Sequence, residues 1–288
     1  MFRNALSSLK TASRLTHRKS KSYPTVPKDE NGYYYDTNPL SRAILRPKWV
    51  SPTSGRVIDF VQGELRDANL LTEFWLKGFR DTSNVVRHLG LTYPDMHDLL
   101  APWVHEMLET GDIICGFDGT RLAGLQLMRY HHENEFEELF AGELPGHPNP
   151  KFNVKEDYAK DIAAYDLPHN SARLACFLDD LVQQTGKFLP AETESYAVFE
   201  ATYVHKDYQK DRMGTALVDI AVEACLRRKM YHSVGYCVAT GTRRIGMANG
   251  WSSMFEAYYK DYKENGKPVF YDLNDGAEGS LQVYKKLG

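Results

Sequence analysis

Residues 195–229 read SYAVFEATYVHKDYQKDRMGTALVDIAVEACLRRK. The first ten residues are rich in aromatic and β-branched side chains, which predicts a strand. A polar turn containing Gly214 follows, and residues 215–229 then repeat apolar side chains at helical spacing. The stretch therefore predicts a strand, a turn and a helix whose N-terminus points beyond the end of the strand.

Strand-like and helix-like patterns alternate on both sides of this unit from Arg56 onward, which predicts one mixed α/β domain over residues 56–288. An Asp118-Gly119 pair between two apolar runs predicts a hairpin. Other strands are predicted at 56–63, 231–240, 254–266 and 280–287, and helices at 68–79, 95–109, 171–188 and 242–250.

Residues 131–170 are acidic and proline-containing, and they are too long for a plain connection, so we expect an inserted element or a lid. A cluster of four glutamates near its start is either a solvated acidic surface or a means of attracting a cationic ligand; they are Glu133, Glu135, Glu137 and Glu138. The pair His131-His132 is expected at the surface.

Composition excludes several classes of protein. A formal net charge of −3 over 288 residues argues against binding to nucleic-acid phosphates. No apolar run approaches the roughly 20 residues of a membrane-spanning helix, so no membrane insertion is expected. The four cysteines show no spacing typical of metal ligands, so no metal site is expected. The sequence leaves the oligomeric state open.

The N-terminal segment differs from the rest of the chain. Residues 1–28 contain seven basic residues and no acidic one. Their serine-rich, partly amphipathic pattern predicts a mitochondrial presequence and a matrix location. A disordered basic tail, or an arm that binds RNA or a membrane, is the alternative, and the protein is cytoplasmic if the segment is not an import signal. Residues 29–55 are interpreted as an extended polar lead-in.

The turn before Thr215 has the form of an anion site, because a helix N-terminus carries unpaired N–H groups and a partial positive charge. Residues 204–217, VHKDYQKDRMGTAL, resemble motif A of the GNAT superfamily of N-acetyltransferases. Val204, Tyr208, Gln209 and Gly214 stand at its characteristic positions. Residues 244–274 and the closing LQVYKKL are similar to the corresponding parts of invertebrate arylalkylamine N-acetyltransferases.

The resemblance implies a GNAT acyl-CoA N-acyltransferase fold, a central, mostly antiparallel, splayed sheet flanked by helices. It also implies acetyl-CoA as co-substrate, with pantetheine along the strand at Thr202, Tyr203 and Val204. The pyrophosphate would then bind the turn and helix start, formed by Gln209, Lys210, Asp211, Arg212, Met213, Gly214 and Thr215.

Two positions depart from the family pattern. Arg212 replaces the first motif glycine, and a side chain there disfavours a positive φ. Either the turn is built without that dihedral, or Arg212 offers its guanidinium to the phosphates. Gly246 stands where many members carry a tyrosine that protonates the leaving thiolate. Thr242 lies near the position of the serine hydroxyls of invertebrate enzymes, although threonine there is also suited to capping a helix.

The general base is predicted among carboxylates, since acetyl transfer requires a neutral amine. Glu200 occupies the position at which vertebrate arylalkylamine enzymes carry a histidine, and strand alternation places it on one face with Val198 and Thr202. An ion pair across the sheet is the alternative role. Asp81 is the second candidate, because it is the acid nearest to the glutamate that invertebrate enzymes carry after the first helix.

The expected activity is direct acetyl transfer from acetyl-CoA to a small primary amine such as an arylalkylamine. The alternatives are acetylation of lysine in peptides or proteins, and a GNAT-fold CoA-binding sensor that has no turnover.

Overall fold

A computed structural model describes residues 23–37 and 41–288. Eight strands form one sheet, and these are β1 Ile44–Val50, β2 Val57–Gln62, β3 Asp112–Asp118, β4 Arg121–His132, β5 Ser195–Val204, β6 His232–Cys237, β7 Ser252–Tyr258 and β10 Gly279–Lys286. A small separate ladder joins β8 Lys263–Glu264 to β9 Lys267–Pro268.

The helices pack on both faces of the large sheet. Their bounds are α1 Ala68–Thr82, α2 Asn84–Leu89, α3 Tyr93–Glu109, α4 Glu133–Leu139, α5 Ala159–Ala163, α6 His169–Thr185, α7 Met213–Arg227 and α8 Thr240–Ala248. The larger core lies between the sheet and helices α1, α3 and α6, around buried residues such as Phe74, Leu99 and Phe177. A second core lies under α7, around Leu217 and Ile220.

The sheet order is β1-β2-β3-β4-β5-β6-β10-β7. Strands β5 and β6 are parallel, and the other neighbouring pairs in the sheet are antiparallel. Helix α7 connects the parallel pair, as a parallel crossover requires. This arrangement confirms the predicted mixed, mostly antiparallel sheet flanked by helices.

Most predicted elements are present near their predicted positions. The strand over 195–204, the hairpin at Asp118-Gly119 and the helices at α1, α3, α6 and α7 all form. The segment 254–266 is only partly a strand, since β7 ends at Tyr258 and a 3-10 turn follows.

The lead-in contains a strand that the sequence did not indicate. Residues 44–50 form β1, an edge strand whose register with β2 shifts twice. Upstream, Tyr34 is buried in the main core and Tyr35 bridges to Arg121. The predicted presequence falls mainly on residues 1–22, which lie outside the described part of the chain.

The inserted region contains α4 and α5. The prediction that the pair His131-His132 lies at the surface is wrong for His131. His131 is only 1% exposed, with its Nδ1 2.8 Å from a carboxylate oxygen of Glu135, whereas His132 is exposed. Burial explains the difference, because β4 continues to His132 and turns His131 inward. Among the described helices, none has the length and apolar character needed to cross a membrane.

Candidate functional site

A cleft opens where β5 and β6 separate. Their ladder contains three pairs and ends at Phe199–Gly235, although β5 continues to Val204. The cleft holds about 500 Å³ of space, part of it open to solvent. Its lining includes Phe199, Glu200, Ala201, Thr202, Val218, Gly235, Tyr236, Cys237, Thr242, Ile245, Gly246, Asn249, Trp251 and Val283.

The turn from β5 into α7 lies beside this cleft. Residues Lys206–Tyr208 form a 3-10 turn, anchored by the Tyr208 hydroxyl, which donates to Asp118 at 2.9 Å. The first intrahelical bond of α7 runs from the N–H of Ala216 to the carbonyl of Arg212 at 3.1 Å. The N–H groups of residues 213–215 therefore precede the helical hydrogen-bonding pattern and are available to an anion.

The turn has a positive φ at Arg212, which was unexpected because the residue there is not glycine. Arg212 is the N-cap of α7 with φ 61° and ψ 14°, and Lys210 has φ 70°. Of the two alternatives for this position, a turn built without a positive φ is therefore wrong. The left-handed Arg212 followed by the helical Met213 is a conformation that directs successive N–H groups into one concavity, which suits an anion.

The predicted cofactor residues of the turn divide into exposed and buried side chains. Gln209, Lys210, Arg212 and Thr215 are exposed. Asp211 is buried, with its carboxylate 3.1 Å from Arg56, and Met213 is buried in the core under α7. Only the backbone of these two residues is placed to contact a ligand.

Of the other predicted cofactor residues, at the end of β5, Thr202 lines the cleft, whereas Tyr203 and Val204 pack against the two cores. The hydroxyl of Thr202 donates to the side chain of Gln126, and the carbonyl of Val204 accepts from Gln209 Nε2 at 3.2 Å. The Tyr203 ring packs 4.9 Å from that of Phe74. Burial, and after it the charge of Asp81, raises the pKa of Tyr203 to about 12, so its phenol stays protonated.

Glu200 lines the cleft and also forms an ion pair. Its Oε1 lies 3.2 Å from Nη1 of Arg129, and its side chain is 11% exposed. The ladder between β4 and β5 shifts here, because Leu127 pairs with Ala201 and Met128 with Phe199. Such a bulge leaves one residue without a direct partner and breaks the alternation of faces.

The bulge corrects the predicted orientation of Glu200. Val198 packs in the cluster beneath α4 and α6. The side chain of Glu200 lies on the same face of the sheet, because it contacts Arg129, which in turn lies against Trp103 of α3. Ala201 and Tyr203 pack on the main core, so Thr202, between them, faces the opposite side. The prediction that Glu200 and Thr202 share one face is therefore wrong.

Thr242 and Asp81 are placed very differently. Thr242 lies on α8 and lines the cleft. The N-cap of α8 is Ala239, and the N–H of Thr240 is bonded instead by Asp275 at 2.9 Å, so Thr242 does not act as the helix cap. Asp81 is exposed at the end of α1, 3.1 Å from Lys77, and is not among the residues that line the cleft.

Several cleft residues were not identified from the sequence. Asn249, the C-cap of α8, lies at helical spacing from Thr242 and Gly246, and this spacing is the signal that identifies it. Trp251 packs edge-on against Phe199 at 4.9 Å. Cys237 also lines the cleft, and burial raises the pKa of its thiol to about 12.

A second cleft shares Cys237 with the first one. It holds about 880 Å³ of space, including open solvent, and its lining includes Thr240, Arg243, Arg244, Met247 and Glu256. The acidic residues of α4 do not line either cleft. Among the residues that the structure describes, no cluster of three or more histidine, cysteine, aspartate or glutamate side chains is arranged to hold a metal ion.

Comparison with solved structures identifies the fold. Arylalkylamine N-acetyltransferase 2 from Aedes aegypti matches with a TM-score of 0.64 at 15% identity, over 80% of this chain and 99% of that one. A Drosophila melanogaster polyamine N-acetyltransferase, an enzyme that forms N-acetylagmatine, matches with a TM-score of 0.63 at 13% identity, over 80% and 100%. A putative arylalkylamine N-acetyltransferase 7 from the yellow fever mosquito matches at 0.54 and 12% identity, over 88% and 99%.

These matches confirm the GNAT fold predicted from residues 204–217 and the C-terminal segments. The sequence itself matches no protein-family model and no curated protein. One fold supports many activities, so the activity follows from the chemistry of the site.

Proposed function

We propose that this protein is an acetyl-CoA-dependent N-acetyltransferase that acts on a primary amine. One observation carries the proposal: the ladder between β5 and β6 ends at Phe199–Gly235, and the cleft it opens lies beside the N-terminus of α7. A strand edge and a helix N-terminus are thus placed to bind the two ends of one ligand. The strand edge suits an amide-containing arm, and the helix suits a pyrophosphate.

The residues present fit acetyl-CoA. In residues 41–288, no strand pairs with the edge of β5 that faces the cleft beyond Phe199, so its backbone groups are available to pantetheine. The amides of Met213, Gly214 and Thr215 would hold the pyrophosphate, with the side chains of Lys210 and Arg212 beside it. Acetyl-CoA supplies the activated acetyl group.

Glu200 is the proposed general base, and Asp81 the second candidate. Glu200 is among the residues that line the cleft, and its carboxylate would accept a proton from the amine directly or through a water. Thr242 would direct its hydroxyl at the leaving sulfur from α8. Cys237 remains protonated at neutral pH, which supports direct transfer rather than an acyl-enzyme.

The test of this proposal is a thiol-release assay on the full chain with acetyl-CoA. The panel contains arylalkylamines, polyamines including agmatine, and lysine peptides, and mass spectrometry identifies the acetylated product. We expect release with one amine class and at least about a hundredfold loss in Glu200→Gln, the low end of the effect of one acid–base group. Release confined to lysine peptides would identify the peptide alternative, to which the second cleft gives room.

A CoA-binding sensor is the second candidate function. The ion pair between Glu200 and Arg129 favours it, since the carboxylate then has a structural role as the partner of a buried guanidinium. Tight binding of acetyl-CoA without thiol release for any amine in the panel would select the sensor.

For the location of the protein we propose import into the mitochondrial matrix, on the basic and acid-free composition of residues 1–28. A fusion of residues 1–30 to a fluorescent reporter tests it. Mitochondrial fluorescence is expected, and cytosolic fluorescence would contradict import.

A further inference from the structure

The turn before α7 contains two residues in a conformation that is costly for them. Lys210 and Arg212 both have positive φ, and neither is glycine. A residue with a Cβ in this region costs on the order of 1–3 kcal/mol, and such a conformation persists only where surrounding contacts enforce it. The loop between β1 and β2 provides these contacts.

Ser51 fixes the peptide unit between Asp211 and Arg212. Its buried hydroxyl donates to the carbonyl of Asp211 at 3.0 Å and accepts the N–H groups of Thr53 and Ser54 at 3.2 and 3.1 Å. One donor and both acceptor positions of the hydroxyl are used, so its proton is directed at Asp211. In a trans peptide the N–H points opposite to the carbonyl, so the N–H of Arg212 is directed away from Ser51.

Arg56 closes the same loop onto the turn. Its guanidinium lies 3.1 Å from the Asp211 carboxylate, donates to the carbonyl of Asp207 and lies over the Tyr208 ring at 4.7 Å. The loop is itself held closed, because the N–H of Ser51 bonds the carbonyl of Arg56 at 2.8 Å. Three contacts from Arg56 and one from Ser51 therefore converge on residues 207–211.

We propose that Ser51 and Arg56 are positioning residues that hold the turn over Gln209–Arg212 in its anion-binding shape, in place of a glycine at Arg212. The inference rests on the proposed function, since the anion is taken to be the pyrophosphate of acetyl-CoA. Ser51 acts through the backbone of the turn, and Arg56 acts through the Asp211 carboxylate, the Asp207 carbonyl and the Tyr208 ring. They determine affinity for acetyl-CoA and leave the reacting groups at Glu200 and Thr242 untouched.

The test is a rescue experiment. In Ser51→Ala/Arg56→Gln, the dissociation constant for acetyl-CoA, measured by calorimetry on the full chain, is expected to rise about tenfold, since about 1.4 kcal/mol of enforced strain corresponds to one decade. Adding Arg212→Gly removes the strain and is expected to restore affinity to within about threefold of the wild type. Thr53→Ala, an exposed neighbour in the same loop, is the control and is expected to bind normally.

Unchanged affinity in the double variant, or no rescue by Arg212→Gly, would overturn the inference. A general loss of folding is distinguished by the rescue, because a glycine in the turn does not repair a damaged β1–β2 loop. Hydrogen exchange of the Ala216 amide tests the same inference without ligand. This amide is expected to exchange faster in the double variant than in the wild type, and the addition of Arg212→Gly is expected to slow its exchange again. If the wild type binds no acetyl-CoA, the proposed function fails, while this exchange pattern still decides whether Ser51 and Arg56 hold the turn.

Discussion

The carboxylate of Glu200 and the guanidinium of Arg129 lie 3.2 Å apart across β4 and β5, and Glu200 is also one of the residues that line the cleft. Arg129 is 4% exposed, and its guanidinium also approaches Glu106 at 3.4 Å and the ring of Trp103 at 5.2 Å. A buried carboxylate is stable only with such partners. Of the two roles considered for Glu200, the structure shows the ion pair, and its role as the general base stays a proposal.

Replacing Arg129 by methionine is expected to destabilise the fold. The change leaves Glu200 buried beside an apolar side chain, which costs about 3–5 kcal/mol. Chemical denaturation measures the loss, and Arg129→Met/Glu200→Met should recover most of it. Glu106→Gln is the control with a smaller expected cost, because Glu106 is more exposed and lies farther from Arg129. Equal stability of wild type and Arg129→Met would show that the pair contributes little.

Gly78→Ala tests the packing of α1 against β5. A Cβ at Gly78 would lie 2.1–2.4 Å from three ring atoms of Tyr203, so the ring or the strand must move. We expect a loss of about 1–3 kcal/mol in stability, typical of overpacking, together with weaker acetyl-CoA binding. Gly241→Ala is the control, since nothing lies within 4 Å of its added Cβ. If Gly78→Ala binds acetyl-CoA with the affinity of the wild type, Tyr203 does not shape the edge of β5 that is proposed to bind pantetheine.

His131 predicts a pH dependence of stability. Burial holds the pKa of its imidazole below the ordinary value of 6.5, and the nearby Glu135 only partly offsets this. The unfolded chain therefore binds a proton on His131 more readily than the folded chain does. The contribution to the free energy of unfolding is fully present above about pH 6.5 and is lost as the pH falls toward the pKa of the folded state. His131→Gln is expected to flatten this part of the profile of unfolding free energy against pH. The exposed neighbour His132→Gln should leave it unchanged, and an unaltered profile in His131→Gln would contradict the assignment.

Cys237→Ser tests direct transfer. The raised pKa of the Cys237 thiol, about 12, keeps it protonated and a poor nucleophile, so turnover in the variant is expected to stay within about threefold of the wild type. Mass spectrometry of the wild type after incubation with acetyl-CoA should show no acetyl group on this residue. An acetylated Cys237 that transfers its acetyl group to amine would establish an acyl-enzyme instead.

The unit from Ser195 to Arg227 was predictable because its strand, turn and helix are each encoded by neighbouring residues. Thr242, by contrast, was singled out by the family resemblance, and it lines the cleft. Strand β1 was not predicted because Arg46, Pro47 and Lys48 interrupt its apolar side chains. Its pairing with β2, and not the propensity of its own residues, stabilises it as a strand.

The chemistry of the site depends on contacts that are distant in sequence. Arg129 is 71 residues from Glu200, and nothing near Glu200 identifies it as the partner. The bulge that turns Glu200 away from Thr202 follows from the register of two paired strands, which single-strand alternation does not reveal. The positive φ at Arg212 is likewise enforced from Ser51 and Arg56 rather than by the turn's own residues.

The central claim is that the N-terminus of α7 binds the pyrophosphate of acetyl-CoA beside the β5–β6 cleft. Calorimetric titration of the full chain with acetyl-CoA, in the wild type, Thr215→Glu and Thr215→Gln, tests it most directly. Thr215 is exposed in the first turn of α7, where a glutamate is compatible with the helix dipole but repels a phosphate. We expect binding by the wild type and Thr215→Gln and at least tenfold weaker binding by Thr215→Glu, about 1.4 kcal/mol. Equal binding by all three proteins, or no binding by the wild type, would contradict the claim.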